Sequence, residues 1–413
     1  MMKLLLKRGV FLFIFVIFSS PYAQTFRGEL GVMVFDYFNK NKTTTQYSLH
    51  EGDETYELDL PKMLDKNNLL TGEHVIVEGT LIPGVKQNRI QVDSITLEKS
   101  ARPKPDITGN RTVLTLLVNF NNIKVTDTHS TSSVDAQLYT NRFSSRRNHN
   151  ISSFGQLSYV RDPNIPSIYV VNLNYDAGSA CNANTWGKDA ETAATQAGID
   201  IAAYTHHMFI LPKNVHCPWG GVAYVGCKPP NFCKSWVIGY NDMTRIMAHE
   251  LGHNLGMAHA ASDLNNAGSI DQYGDESCVM GRGYKQINAP HRDQMHWFDT
   301  RPQNIKTVTA TAGYKIYSLD ITTNALQVLK INKKDQSGTY YVSYRTNTIL
   351  FGMDDPYKNR VNIHRTVPGN TYSYFITSLG NSETFTDANN GISITAVATQ
   401  LSNAARVDVS LAP

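Results

Sequence analysis

Residues 241–259 constrain the fold most, because they combine a helical apolar repeat with three histidines. His249 and His253 are four residues apart, so on an α-helix both rings project from one side and can reach one ion. A third ligand from the next helical turn would spoil tetrahedral geometry. Gly256 offers the left-handed conformation that ends the helix and lets His259 approach from the opposite direction. Since neutral imidazoles suit zinc, the sequence predicts a three-histidine zinc site.

The residue that follows the first histidine indicates what such a site can do. Three protein ligands leave the fourth zinc position for a water molecule, which zinc makes acidic near neutral pH. Glu250 is placed to take the proton of that water and to deliver it to a leaving amine, while zinc polarises the scissile carbonyl. We therefore expect Glu250 to be the general base of a zinc-dependent peptide hydrolysis, with His249, His253 and His259 as metal ligands. Calcium has no support in the sequence, which lacks Gly-Asp calcium-binding repeats, and a calcium requirement stays open.

The long zinc motif and a downstream methionine resemble the metzincin metallopeptidases. The methionine is Met280, which stands before Gly281. Among metzincins, the chain is most similar to the gametolysin family, through this motif, residues 273–275, the Met280 turn and a β-rich C-terminal region. The resemblance covers about residues 110 to 400. It implies an extracellular peptidase in which Met280 lies under the metal as an apolar floor without binding it. The founding member acts on cell-wall glycoproteins.

Two other metzincin groups share part of the pattern. Residues 253–257 also resemble the reprolysin and adamalysin peptidases, but those carry Asp directly after the third histidine, where this chain has Ala260. The chain also lacks a Cys-rich module. Astacin-like enzymes place a Tyr two residues after the Met, and here that position is Arg282. Tyr284 would replace it only in a longer loop, so we leave Tyr284 out of the ligand set.

The N-terminus predicts export. Lys3, Lys7 and Arg8 precede an apolar run at residues 10–18, which small and turn-forming residues follow up to Ala23. This is the order of a secretory signal peptide, and the run is too short to span a bilayer. Removing these three positive charges and no negative ones from a formal net charge of +3 leaves zero. A neutral mature chain argues against nucleic acid or an anionic membrane as the main partner. No second apolar stretch of spanning length follows.

The remaining pattern predicts three domains after the signal peptide. Short alternating runs predict an all-β N-terminal domain of the partly open barrel kind, and mixed strand and helix signals predict an α+β catalytic domain, which the resemblance implies is metzincin-like. Strand signals separated by Gly, Asn and Asp turns then predict a C-terminal β-sandwich-like domain. The expected boundaries are 1–23 for the signal peptide, 24–106, 107–303 and 304–413.

The segment between the first two domains is basic and contains Pro103 and Pro105, a composition typical of an exposed, protease-sensitive linker. The N-terminal domain is therefore either a removable propeptide or a permanent module. The matrix metallopeptidases are kept latent by a Cys in the propeptide, but no Cys precedes Cys181 in this chain. An inhibitory propeptide here must therefore use another group. Asp53, after Gly52, is a weak candidate for that group.

The cysteines and the histidines outside the zinc motif give further expectations. An exported chain with five cysteines is expected to form two disulfides and leave one thiol, with a pairing that spacing does not give. His206 and His207 lie in a probable strand, where one is expected to be buried and the other exposed. For His291 and His296, a position in the cleft and a position on the surface stay equally open. The five cysteines are Cys181, Cys217, Cys227, Cys233 and Cys278.

Two functional hypotheses follow. In the first, a secreted endopeptidase binds a protein or glycoprotein segment as an extended strand and hydrolyses it. In the second, the C-terminal β-domain serves a cell-surface or carbohydrate-binding protein, and the zinc site is vestigial. Glu250→Ala separates them, because binding would survive and peptidase activity would be lost. The sequence gives neither the cleavage preference nor the oligomeric state.

Overall fold

The protein is described here from a computed structural model that covers residues 23–61, 69–82, 88–98, 107–162, 165–226, 233–348 and 350–412. The described chain is mostly β-structure with few helices. The predicted signal peptide, apart from residue 23, and the basic stretch 99–106 lie outside the described residues.

Five N-terminal strands close into a small barrel. Each strand hydrogen-bonds to two neighbours in the order β1-β2-β3-β5-β4-β1. Alternate side chains point inward, so Leu30, Leu49, Val75 and Ile90 are fully buried in a core of their own. The strands are β1 (Gln24–Tyr37), β2 (Lys42–Glu51), β3 (Glu54–Asp59), β4 (His74–Leu81) and β5 (Arg89–Leu97).

The central region contains a mostly parallel sheet with helices on both faces. Its strands are β6 (Gly109–Asn119), β7 (Leu157–Val160), β8 (Ile168–Asn172), β9 (His206–Leu211), β10 (Gly221–Tyr224) and β11 (Lys234–Ile238). The order along the sheet is β10-β11-β9-β6, with β7 and β8 beside β6. Only β10 runs antiparallel to its neighbour β11, and the barrel strand β1 pairs with its free side. The barrel and the central sheet are therefore one continuous 11-stranded sheet.

Five α-helices occur in the described chain, and the two longest cover opposite faces of this sheet. They are α1 (Thr131–Asp135), α2 (Ser145–Ser152), α3 (Ala183–Gln196), α4 (Thr244–Asn254) and α5 (Ala289–Gln294). Along β9, Met208 packs in the core on the α4 side and Phe209 in the core on the α3 side. Both faces of β9 are thus buried, as is usual for an interior parallel strand.

This burial contradicts the expectation for His206 and His207, because both rings are buried. His206 lies within hydrogen-bond distance of Asn254 on α4, and His207 of Glu191 on α3. The rings do point to opposite faces, but each face of this strand is covered by a helix. The prediction that one of the two would be exposed was wrong.

Two further sheets follow α4. A seven-stranded sheet has the order β13-β12-β19-β18-β17-β16-β14, and a four-stranded sheet has the order β15-β22-β21-β20. They share one apolar core, in which Ile363 and Ile394 are fully buried. The strands are β12 (Ala260–Asp263), β13 (Ile270–Asp271), β14 (Ile305–Thr307), β15 (Ala312–Tyr317), β16 (Val328–Asn332), β17 (Thr339–Arg345), β18 (Arg360–Thr366), β19 (Ser373–Leu379), β20 (Thr384–Asp387), β21 (Ile392–Ala398) and β22 (Ala404–Leu411).

One of these strands, β12, belongs to the central part of the sequence but pairs with a strand of the C-terminal part. Strand β12 begins directly after His259, and it runs parallel to β19 with Ala260 opposite Ser373. The C-terminal sheet therefore extends to within one residue of the third predicted metal ligand.

One disulfide joins Cys181 to Cys217, and Cys233 is also disulfide-bonded. Cys278 is a free, buried thiol, in keeping with the expected leftover cysteine, while Cys227 lies outside the described residues. Within the described ranges, no helix is both long and apolar enough to cross a membrane.

Candidate functional site

Helix α4 carries the first two predicted ligands. Its N-cap residue, Met243, makes no side-chain cap, and the carboxylate of Asp242 accepts from the backbone N–H of Thr244 instead. The helix ends before Gly256, whose φ of +98° is the left-handed conformation expected there. The chain then reverses, and His259 faces the two helical histidines from the opposite side.

Backbone carbonyls hold the helical histidines in one orientation. The Nδ1 atoms of His249 and His253 lie 2.8 Å from the carbonyl oxygens of Val279 and Met257, so each Nδ1–H donates to a carbonyl. The Nε2 atom of each ring is then unprotonated and presents its lone pair to the site. Burial lowers the pKa of His249 to about 3 and also lowers the pKa of His259. Neutral imidazole, the form that binds metal, is therefore favoured.

A carboxylate from the N-terminal barrel completes this cluster. Asp36 of β1 is fully buried, with Oδ2 3.1 Å from the Nε2 atoms of His249 and His253 and Oδ1 3.0 Å from Nε2 of His259. Burial alone would raise the pKa of Asp36, but its electrostatic interactions with the three rings, of which that with His259 is the largest, hold it well below its usual value. The four ligand atoms all lie within 4.8 Å of one another.

This donor set fits a zinc ion. Tetrahedral bonds of 2.0–2.1 Å put neighbouring ligand atoms about 3.3 Å apart, close to the distances between Asp36 and the rings. Three lone pairs and a carboxylate also repel one another unless a cation lies between them. In keeping with this, the Nε2 atoms of His249 and His259 make no hydrogen bond within the described structure.

Glu250 lies beside this cluster. Both of its carboxyl oxygens are buried, and neither has a hydrogen-bond partner among the described residues. Burial, followed by the negative charge of Asp36, raises the pKa of Glu250 well above its usual value. The carboxyl group rests against Gly221 at the start of β10, where an added Cβ would lie 1.9 Å from Oε1. Gly221 therefore makes room for the predicted base.

Met280 lies below helix α4. Its side chain is fully buried, and a Cβ added to Gly252 would lie 2.3 Å from its sulfur atom. The carbonyl of Met280 accepts from the N–H of Ala260, directly after the third histidine. Met280 is thus placed as a packed support for the ligand-bearing elements.

Sequence reasoning missed three residues at the site: Asp36, Tyr273 and Phe38. The hydroxyl of Tyr273 donates to Oδ1 of Asp36 at 2.7 Å, and its ring lies 4.4 Å from the ring of His259. The ring of Phe38 lies 5.2 Å from that of His249. The available signal for Asp36 was a lone carboxylate in the apolar run 30–38, because a charge in a buried strand needs a compensating partner.

The remaining candidate residues from the sequence make contacts outside the cluster of Asp36 and the three histidines. Asp53 is exposed in the turn between β2 and β3. Tyr284 donates to the carbonyl of Phe143, and Arg282 pairs with Asp271 and Glu276, so leaving both out of the ligand set agrees with their positions. His291 is buried under the carbonyl of Thr371, whereas His296 is exposed.

Gly221→Ala is expected to lower peptidase activity strongly while zinc binding is retained. The new Cβ would displace the Glu250 carboxyl from its space but would touch no histidine. A misplacement of about 1 Å can cost roughly 100-fold in rate. Peptide cleavage and zinc content of the variant, compared with wild type, test this. Full activity in a folded Gly221→Ala variant would show that Glu250 does not need this space.

Comparisons with known proteins bear on the family to which the chain belongs. A 99-residue stretch is 34% identical to an autolysin from Chlamydomonas reinhardtii, and it covers 22% of this chain but only 14% of that protein. Metalloproteinase-II from Bacteroides fragilis is similar over 61% of this chain and 75% of its own, at 10% identity and a TM-score of 0.30. OgpA from Akkermansia muciniphila is similar over 76% of this chain and 99% of its own, at 15% identity and a TM-score of 0.31. At these TM-scores, neither structure adds to the assignment.

Residues 103–391 match the gametolysin peptidase M11 family. This match spans more than half of the chain, which therefore belongs to the gametolysin peptidase M11 family of metallopeptidases, a group of hydrolases.

Proposed function

We propose that the protein is a secreted, zinc-dependent endopeptidase that uses Glu250 as its general base. One observation carries the proposal: three histidine Nε2 atoms converge beside a buried carboxyl group, on Glu250, that has no hydrogen-bond partner among the described residues. A buried carboxyl group with a structural role is normally hydrogen-bonded to another protein group. A general base that must accept a proton from the attacking water has to be left without such a partner.

The residues divide the work as follows. His249, His253 and His259 would hold the zinc, which supplies an acidic water and polarises the scissile carbonyl. Glu250 would take the water's proton and then deliver it to the nitrogen of the leaving amine. Met280, packed against Gly252, keeps the helix in place under the ligands.

The substrate would be an extended segment of an extracellular or cell-wall protein. Strand β10 is the natural place for it, because one of its edges is not used by the central sheet itself. The predicted signal peptide supports secretion. The relationship to an autolysin supports a substrate in a cell wall or extracellular matrix.

We also propose a metzincin-like α+β catalytic domain at 107–303 between β-rich domains at 24–106 and 304–413. Sheet pairing crosses both boundaries, through β1–β10 and through β12–β19. The three segments would therefore fold as one unit and not as independent domains.

The test is cleavage of an unstructured protein by purified full chain, with and without a zinc chelator, before and after proteolytic trimming of residues 24–106. We expect one zinc per chain, loss of cleavage on chelation and recovery on adding zinc. Stoichiometric zinc with no cleavage of any substrate, trimmed or untrimmed, would favour the cell-surface or carbohydrate-binding reading.

A further inference from the structure

We propose that Asp36 is a fourth protein ligand of the metal, and that strand β1 occupies the substrate cleft of the same molecule. The full-length chain is then latent. This inference rests on the proposed function for its meaning, but its central claim concerns which atoms hold the metal.

The first argument is the position of β1 in the sheet. Met33 to Asp36 pair antiparallel with Tyr224 to Gly221 of β10. Without β1, β10 would be an edge strand, with backbone groups open to pairing with another extended chain. The barrel therefore fills the one edge of the central sheet that lies beside the three histidines.

The second argument is the register of that pairing. Asp36 stands opposite Gly221, the residue that makes room for the Glu250 carboxyl. Its own carboxylate then points at the three Nε2 atoms, at 3.0–3.1 Å. A carboxylate is an ordinary zinc ligand, and four protein ligands form a closed site of the structural kind, with no position left for water.

The third argument is the energetic cost of placing a charge there. Asp36 is completely buried, its carboxylate contacts the three histidine rings and the Tyr273 hydroxyl, and the guanidinium of Arg245 also interacts with its charge. Burying an unpaired carboxylate is strongly unfavourable, whereas coordination of a divalent cation compensates the charge. A barrel strand that served only as a scaffold would have an apolar residue at this position.

Two residues further along, Phe38 anchors the strand. The guanidinium carbon of Arg245 lies 4.5 Å from the ring centroid, and the ring also contacts His249 and Tyr273. A Cβ added to Gly220 would lie 2.8 Å from the Phe38 ring. The segment thus fills the space beside the metal ligands as well as the metal position itself.

The test compares the full chain with Asp36→Ala, and with Asp53→Ala as a matched control. Both residues are aspartates of the same barrel, but Asp53 is exposed in a turn. Each protein is loaded with cobalt(II) in place of zinc, and its visible absorption is recorded during titration with acetohydroxamate, a small chelator that needs an open metal position. Peptide cleavage by the zinc forms is measured in parallel.

We expect Asp36→Ala to change the cobalt spectrum before any chelator is added. Its apparent affinity for acetohydroxamate should rise by roughly 10- to 1,000-fold, because a closed state would otherwise leave only about 0.1–10% of molecules open. Peptide cleavage should need trimming of residues 24–106 as well, because β1 still pairs with β10 in the untrimmed variant. Asp53→Ala should match wild type in all three measurements. If Asp36→Ala loses its folded circular dichroism spectrum, Asp36→Asn, which keeps the side-chain shape and removes the charge, is measured in the same way.

Two results have different meanings. An unchanged cobalt spectrum and equal acetohydroxamate affinity in wild type and variant would overturn the role of Asp36 as ligand. A changed spectrum with tight acetohydroxamate binding, but no cleavage of any peptide even after trimming of residues 24–106, would uphold that role and would instead contradict the proposed peptidase function.

Discussion

Glu250→Gln is expected to lower kcat for peptide cleavage by roughly 100- to 10,000-fold, the usual contribution of a general base. Glutamine keeps the shape of the side chain and still fits against Gly221, but it cannot accept the proton of the attacking water. The metal ligands are untouched, so one zinc per chain should remain. The measurement is steady-state cleavage of a peptide by enzyme trimmed of residues 24–106, together with zinc content.

The matched control is Glu191→Gln. Glu191 is also a largely buried glutamate on a helix, but it pairs with His207 and Lys234 away from the site. This variant should lose some stability and keep its kcat. Comparable losses of kcat in both variants would mean that Glu250 acts through the fold and not through proton transfer.

Asp275→Ala is expected to destabilise the protein by about 3–5 kcal/mol, the cost of removing one partner from a buried ion pair. The Asp275 carboxylate lies 3.0 Å from Nε2 of His364 on β18. It also accepts from Ser277 and Asn288, and all of these groups are buried. This network joins the approach to the Met280 turn to the C-terminal sheet, so its loss should loosen the turn. Urea unfolding measures the change.

The matched control for this prediction is Glu98→Ala, which removes the exposed ion pair with Arg27. Its side chains are 61% and 37% exposed, so the change in stability should be at most about 1 kcal/mol. Equal effects of the two substitutions would contradict the importance of the buried network.

The Asp275 pair also predicts a pH dependence. Burial would raise the pKa of Asp275, but the charge of His364 and the hydrogen bonds lower it to about 2, from an ordinary value of 3.8. Because the folded-state pKa is the lower one, this stabilisation is present above about pH 4 and is lost as the pH falls towards 2. The stability difference between wild type and Asp275→Ala should therefore shrink over that window.

The metal ligands could be predicted from sequence because they are local. A four-residue spacing fixes two rings on one helical face, and a glycine turn returns the third. The fourth member of the cluster could not be found in this way, since Asp36 is 217 positions before His253 and meets it only through the pairing of β1 with β10. No local periodicity encodes such a contact. The sequence shows only its symptom, which is a charge inside an apolar strand.

The same distinction explains the error at His206 and His207. Alternation along a strand correctly predicts that the two rings face opposite sides. It does not say what covers each side, and here α3 and α4 cover both. Likewise, alternating runs indicate a β-rich N-terminal domain, but the closure of the barrel depends on the pairing of β3 with β5, across a long connection.

The pairing of β12 with β19 has a consequence for biosynthesis. His259 is followed at once by a strand whose neighbour, Ser373, is made more than one hundred residues later. At roughly 5–20 residues per second, a ribosome needs several seconds to cover that distance. During that delay, the strand that follows the third ligand lacks its pairing partner. The final position of His259 is thus reached only after residue 373 has been synthesised, so the assembly of the metal site depends on the C-terminal sheet.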